Sequence, residues 1–547
     1  MKAELAQLQL SLSRGNLVEA ARLAQSLLRQ YPESGQVLKA GVQVHVRMGQ
    51  IDAAMKLTER LAKLEPHNLG YVNYLARWAL QLRQEARAHD YYRAYLKNND
   101  DDAKAWFQLC ELLQSAGQSA AALDAVEKAL SGDFSPRAHA QVTRAIVLAD
   151  LRREGEAVAV LRDVLNEDPG HVQALFNLGS LLQASGERTE SEALFEQVLD
   201  QDPEFIEALV RMIHGRKMTV EQSDWIQRAE RAVASQSRSD YELESLQFAL
   251  AKARDDLGEY EMAMGHMRTA NEKQRQRVGA WNQASFRQFV DASITRVTSA
   301  WLDHDQKQDQ TSERPIFIVG HFRSGSTLIE QMLAASPETH ALGELDLFLR
   351  LQSGPPQDWW ALFDEGGEDR LSAVRRDYLE LSRELGAHGA RGVDKRPENL
   401  QAMGLIKRLF PKALFIHSRR RRLDNAISIF QQQLNDLSRF STSLLDFSSY
   451  DKECDRLMDH WKALFGRSIL TVNYESLVAA PEQTGRSLYD FLGLTWTPTA
   501  LHPGQRGQFV RTASAAQLRQ SIHSESVGRG KNYLRHLTQD EQEAIAS

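Results

Sequence analysis

Apolar positions along the first half of the chain fall in stripes with helical spacing, and the stripes repeat. Gly15, Gly49, Gly117 and Gly186 each stand five residues before a small residue, Ala20, Ala54, Ala122 and Ser191, and the gaps are close to multiples of 34. Arg83 before Ala88 and Arg152 before Ala157 fill the series, with one residue inserted between Gly117 and Arg152, so six units emerge. A second series agrees. Pro32, Pro66, Pro169 and Pro203 follow the same spacing, and polar turns at Asp100 and Phe134 occupy the missing slots. Each proline stops one helix before the next pair begins.

A period of 34 with a small residue in the second helix and a closing proline resembles the tetratricopeptide repeat (TPR). The resemblance implies an all-α solenoid of six repeats over residues 1–203 and a groove able to take a polypeptide, although the stripes themselves are core and no residue identifies a partner. Residues 204–302 stay helical in pattern but lose register, with one repeat-like unit at LGEYEMAMGHM, where Gly258 precedes Ala263. The polar stretch 303–314 reads as a linker.

Beyond it the pattern changes. PIFIVGHFRSGSTLIEQMLAAS reads as a buried strand from Pro315 to Val319, a loop from Gly320 to Gly325, and an amphipathic helix opened by Ser326 and Thr327. A loop feeding a helix N-terminus presents unpaired N–H groups and suits an anion. The spacing G-x-x-x-x-G-x-T matches a nucleoside-triphosphate loop, except that Ser326 stands where lysine is required. That departure argues against a nucleotide kinase. Arg323 supplies a planar fork for sulfate or phosphate instead.

FIVGHFRSGSTLIEQML closely resembles the donor-binding loop of TPR-bearing bacterial sulfotransferases and of tyrosylprotein sulfotransferases, with Phe322 where the family usually has proline. The resemblance implies an α/β domain with a central parallel sheet over residues 315–547 and a sulfuryl donor, 3′-phosphoadenosine 5′-phosphosulfate (PAPS), that leaves as 3′-phosphoadenosine 5′-phosphate (PAP). It assigns Arg323, Ser324, Gly325, Ser326 and Thr327 to the donor loop. In PKALFIHSRRRRLDNAISIF, Arg420 and Ser428 match the family's 3′-phosphate site, although Arg421 and Arg422 replace its usual Asp-Pro. Glu344, 21 residues after Arg323, matches the family's catalytic base, and Lys395 in RGVDKRPENL its catalytic lysine, alongside the catalytic Arg323. Tyr474 in LTVNYESL and Ser524 in IHSESVGRGKNYL match weaker elements at the cofactor site.

Alternatives remain at three places. Glu330, expected to face solvent or a neighbouring helix, and His340 compete with Glu344 as base; Arg396 competes with Lys395; and Tyr474 suits a structural tyrosine as well. Five elements in the family's order favour an active enzyme over an inactive repeat scaffold. The acceptor stays open between a tyrosine on a polypeptide, a carbohydrate and a small molecule.

Composition narrows the setting. A net charge of −7 over 547 residues gives no general footprint for nucleic acid or anionic membrane. Two distant cysteines, Cys110 and Cys454, exclude a disulfide framework or a cysteine-based metal site and point to a cytoplasmic protein that needs no metal. The opening MKAELAQLQLSLSRG lacks a secretory apolar core, and no apolar run reaches spanning length.

Overall fold

A computed structural model describes every residue except 83, 236–237, 304–313, 365, 503–521 and 547, so the slot at Arg83 and nearly all of the expected linker lie outside the described residues. The chain divides into two compact units, Met1–Ala174 and Leu175–Ser547.

The first unit is built from helix pairs: Lys2–Ser13 with Leu17–Gln30, Gly35–Arg47 with Ile51–Leu64, Leu69–Gln81 with Glu85–Leu96, Ala103–Ser115 with Ser119–Ser131, and Arg137–Asp150 with Glu154–Glu167. The small residues explain the pairing. Ala20, Ala54, Ala88, Ala122 and Ala157 are all 0% exposed, so a bulkier side chain at any of them would force packed helices apart. The inter-helix turns need a left-handed residue: Gly15, Gly49 and Gly117 have φ of 73°, 71° and 67°, and Arg152 adopts 62° in the equivalent slot.

A sixth pair, Val172–Ser185 and Arg188–Gln201, lies almost wholly in the second unit. There Ser191 replaces alanine, and its hydroxyl donates to the Gly179 carbonyl at 2.7 Å. Helices Ile206–Gly215, Ser223–Ala234, Asp240–Asp256, Tyr260–Val278 and Gln283–Arg296 then lead to a five-stranded sheet. Its strands are β1 (Ile316–Gly320), β2 (Thr339–Gly343), β3 (Arg391–Asp394), β4 (Leu414–Arg419) and β5 (Ile469–Asn473), in the order β2-β3-β1-β4-β5. Every pairing is parallel.

The central strand β1 is buried at every residue, as a strand covered on both faces must be. Alternation divides its side chains. Phe317 and Val319 enter one hydrophobic core, Ile316 and Ile318 another. The second core is closed by Leu328, Ile329, Met332 and Leu333 of the helix Ser326–Leu333 and by Leu488 and Leu492. The first includes Ala263, Met264, Met267, Val290 and Val297, from residues before the α/β fold begins. Those helices therefore cover one face of the sheet. Polar contacts tie them down: Asn271 Nδ2 donates to the Phe430 carbonyl at 2.7 Å, and Arg277 bridges the buried Glu244 at 2.9 Å and Asp436 at 2.8 Å.

At the end of β1 the chain runs close to β4. Gly320 has φ of 139°, and a Cβ there would lie 2.3 Å from the Ser418 carbonyl oxygen. Gly320→Ala is therefore expected to lower the unfolding free energy of the second unit by about 3 kcal/mol, read by urea denaturation. Met267→Ala is expected to weaken the same transition by about 2–5 kcal/mol, since the thioether is a core group of the sheet domain. A shift confined to a separate, earlier transition would instead show that these helices fold apart from the sheet.

Candidate active site

Parallel strands all end at one edge of the sheet, where open α/β sheets bind ligands. Read across the sheet, that edge presents Glu344 after β2, Lys395 after β3, the loop His321–Gly325 after β1, Arg420 after β4 and Tyr474 after β5. Residues scattered from His321 to Tyr474 in the sequence thus form one row.

The loop is held from beneath. The Ser324 hydroxyl donates to the His321 carbonyl at 2.6 Å and lies 3.0 Å from the Ser418 hydroxyl, which donates in turn to the Ser324 carbonyl at 2.8 Å. Ser324 therefore shapes the loop, its hydroxyl turned towards β4. Phe322, at the family's proline position, is fixed through its carbonyl, which accepts from Asn425 Nδ2 at 2.7 Å. The chain then turns at Arg323, with φ of 62°. Gly325 has φ of 96°, and a Cβ on it would meet the Tyr474 ring at 2.7 Å, so the ring and loop pack as one surface. Ser326 and Thr327 are buried at the head of the following helix.

Of the four consecutive arginines, one faces this loop. Arg419 pairs with Asp455 at 2.5 Å, and Arg422 pairs with Asp451. Asp451 also accepts from His321 at 2.7 Å; burial opposes its charge, but the ring and the Arg422 guanidinium together hold its carboxyl well below the usual range. Arg421 is exposed, and its N–H donates to Glu475 at 2.9 Å as the helix Arg422–Phe430 begins. That leaves Arg420. Its Nη1 donates to the Arg323 carbonyl at 3.1 Å, its guanidinium lies 4.9 Å over the Tyr474 ring, and its Nε is buried with no hydrogen-bond partner. Arg323 Nε in turn donates to the Ser428 hydroxyl at 3.2 Å.

Burial and the neighbouring Arg420, with a further contribution from Arg529, lower the Arg323 pKa to about 10. Arg323 and Arg420 are thus neighbouring cations, while Arg529 is itself paired with Asp255. Such crowding is unfavourable until an anion enters, and the buried Arg420 Nε offers a donor for one. The residues present therefore fit a ligand with phosphate or sulfate groups.

On the other side of the loop, Lys395 is 1% exposed and forms an ion pair with Glu344. The main chain aligns them, since Lys395 N–H donates to the Gly343 carbonyl at 2.8 Å. Burial pushes the adjoining Asp394 carboxyl up to about 8, an effect that Arg396 only partly offsets. Arg396 is engaged elsewhere: its Nε donates to the Leu345 carbonyl at 2.8 Å, and its Nη atoms pair with Asp346 and with Glu398 at 3.3 Å.

The two rival bases stand differently. His340 Nε2 lies 2.8 Å from the Leu385 carbonyl, which fixes it as a donor within the fold. Glu330 is buried rather than solvent-facing, and accepts from Gly343 N at 3.1 Å. A carboxylate that caps the end of β2 explains why a charged residue sits inside the helix Ser326–Leu333.

Ser524 is exposed, whereas Ser526 is buried and its carbonyl accepts from Arg420 Nη2 at 2.5 Å. Sequence reasoning passed over Asp451 and Asp455, whose spacing of four on one helix face opposite an arginine run is the signal that could have found them. It also passed over Arg529, paired with Asp255 from the helix Asp240–Asp256. Among the described residues no helix is long and apolar enough to cross a membrane.

Residues 315–498 match the profile described as "Sulfotransferase family" and residues 148–214 that described as "Tetratricopeptide repeat". A protein of Aquifex aeolicus named "Uncharacterized protein" is 28% identical over 413 residues, 73% of this chain and 53% of that protein. Protein-tyrosine sulfotransferase 2 of Gallus gallus is 30% identical over 207 residues, 34% of this chain and 53% of that protein. The chain thus spans about half the length of the curated relatives it matches. A solved sulfotransferase domain from the Synechococcus PCC 7002 olefin synthase is 23% identical, with a TM-score of 0.33, over 44% of this chain and 96% of that one. Along this chain, then, a segment that matches a tetratricopeptide-repeat model precedes one that matches a sulfotransferase-family model.

Proposed function

We propose that the second unit transfers a sulfuryl group from PAPS to an acceptor hydroxyl, and that the acceptor is a tyrosine on a polypeptide recruited with help from the repeats. The observation that carries this reading is the row of strand ends, where the Lys395–Glu344 ion pair flanks the loop on one side and Arg420 flanks it on the other. The relatives named protein-tyrosine sulfotransferase support the tyrosine. Free, buried Cys110 and Cys454 support a reducing, cytoplasmic setting. The repeats over residues 1–203 would then serve the acceptor, and residues 315–547, with the helices of 204–302 against them, the chemistry.

When bound, PAPS supplies an activated sulfuryl group and the phosphate that departs with PAP. Arg323 and the main-chain N–H groups of Gly325, Ser326 and Thr327 would hold its 5′ end at the helix N-terminus. Ser324 would act by shaping that loop. Arg420 and Ser428 would take the 3′-phosphate, with Tyr474 beside them and Ser524 in the segment that closes over them. Glu344 would accept the proton that the acceptor hydroxyl loses. Lys395 would donate to the leaving oxygen, where negative charge grows as the bond breaks, and so favour the transition state over the ground state. Side chains supply every cation in this scheme, so no metal enters it.

Glu344→Gln keeps the shape and a hydrogen bond but cannot accept the proton; kcat is expected to fall about 100-fold or more while PAP affinity by calorimetry stays essentially unchanged. Near-normal turnover in that variant would refute Glu344 as base. Arg420→Ala is expected to weaken PAPS binding about tenfold or more while affecting adenosine 5′-phosphosulfate far less. Equal losses for the two ligands would remove Arg420 from the 3′-phosphate.

A further inference from the structure

The helix Arg422–Phe430 that bears Ser428 also grips the far end of the chain. One turn before Ser428, Asp424 is 4% exposed. Its Oδ2 accepts from Gly528 N at 2.8 Å and its Oδ1 from Gly530 N at 2.8 Å. Hydrogen bonds from amides to an ionised carboxylate are among the stronger ones available to a chain, and two converge here.

The local sequence S-V-G-R-G is suited to this grip. Gly528 turns with φ of 80°, and at Gly530 a Cβ would lie 2.8 Å from Leu423 Cγ and 3.0 Å from Asp424 Oδ1, so only glycine lets the two main chains approach. Fixing Gly528 and Gly530 fixes what lies around them. Ser526 offers its carbonyl to Arg420, and Arg529, paired with Asp255, adds its charge to the burial that chiefly lowers the pKa of Arg323 and of Arg420.

We propose that Asp424 is a positioning residue of the donor site: it clasps the segment 526–530 against the helix that carries Ser428, so that Arg420, Ser428 and Arg529 meet a 3′-phosphate together. This rests on the donor reading given above. Asp424 itself need not touch the ligand, and being anionic it is better placed behind the cations than among them.

The test uses the full chain, with Asp424→Ala, Asp424→Asn and Gly530→Ala, the last of which obstructs the same contact from the other partner. Calorimetry with PAP and with adenosine 5′-monophosphate is run beside trypsin cleavage after Arg529 and Lys531, followed by intact mass. Asp424→Ala and Gly530→Ala are expected to weaken PAP about tenfold but the monophosphate far less, and to speed cleavage about tenfold, with Asp424→Asn between them and the wild type. Equal weakening for both nucleotides would reduce Asp424 to a structural role, and wild-type affinity with wild-type protection would overturn the clasp. If Asp424→Ala does not fold, Asp424→Asn and Gly530→Ala decide on the same readouts. Wild-type protein that fails to bind PAP refutes the donor reading, while the cleavage rates still report on the clasp.

Discussion

Parallel pairing of five short strands is the constraint on which the rest depends. It brings every strand to an end at the same edge, and the order β2-β3-β1-β4-β5 then fixes which loops are neighbours. Glu344 and Lys395 become adjacent because β2 and β3 are hydrogen-bonded, and Arg323 and Arg420 because β1 and β4 are. Chain order would have separated both pairs. The close passage at Gly320 and the Ser324–Ser418 contact are the points where this constraint reaches the loop His321–Gly325 itself.

Charge placement follows from the same edge. The cationic side is built by neutralising what is not needed: Asp455 takes Arg419 and Asp451 takes Arg422. What remains is Arg323 and Arg420, both partly withdrawn from water and linked through the Arg323 carbonyl. A net charge of −7 is compatible with this because the field that matters is local. The carboxylate and ammonium of the proposed chemistry lie on the opposite side of the loop, so the two sides of the loop are electrostatically distinct.

Much of this was legible in the sequence. The repeat was readable because its signals are local: a buried alanine, a left-handed turn and a closing proline recur at fixed offsets, and even Arg152 adopts the conformation its slot demands. The loop after β1 and its placement between a strand and a helix were readable because strand, loop and helix follow one another within about twenty residues of chain. What escaped was non-local. Helix Tyr260–Val278 looks like a degenerate repeat by its own pattern, and only the fold shows Met264 and Met267 packing with Phe317 and Phe415. The sorting of four arginines needed Asp451 and Asp455, about thirty residues away, and the burial of Glu330 needed the end of β2. Asp424 is separated by over a hundred residues from the glycines it binds.

The central claim is that this edge delivers a sulfuryl group from PAPS to a hydroxyl. Its most direct test is to incubate the full chain with a tyrosine-containing peptide library and PAPS, or adenosine 5′-phosphosulfate in its place, and to follow the peptides by mass spectrometry. The account predicts that peptides gain one sulfuryl group, localised to tyrosine, with PAPS and scarcely at all with adenosine 5′-phosphosulfate. Transfer that proceeds equally well from both donors, or none from PAPS to any hydroxyl acceptor offered, would contradict it.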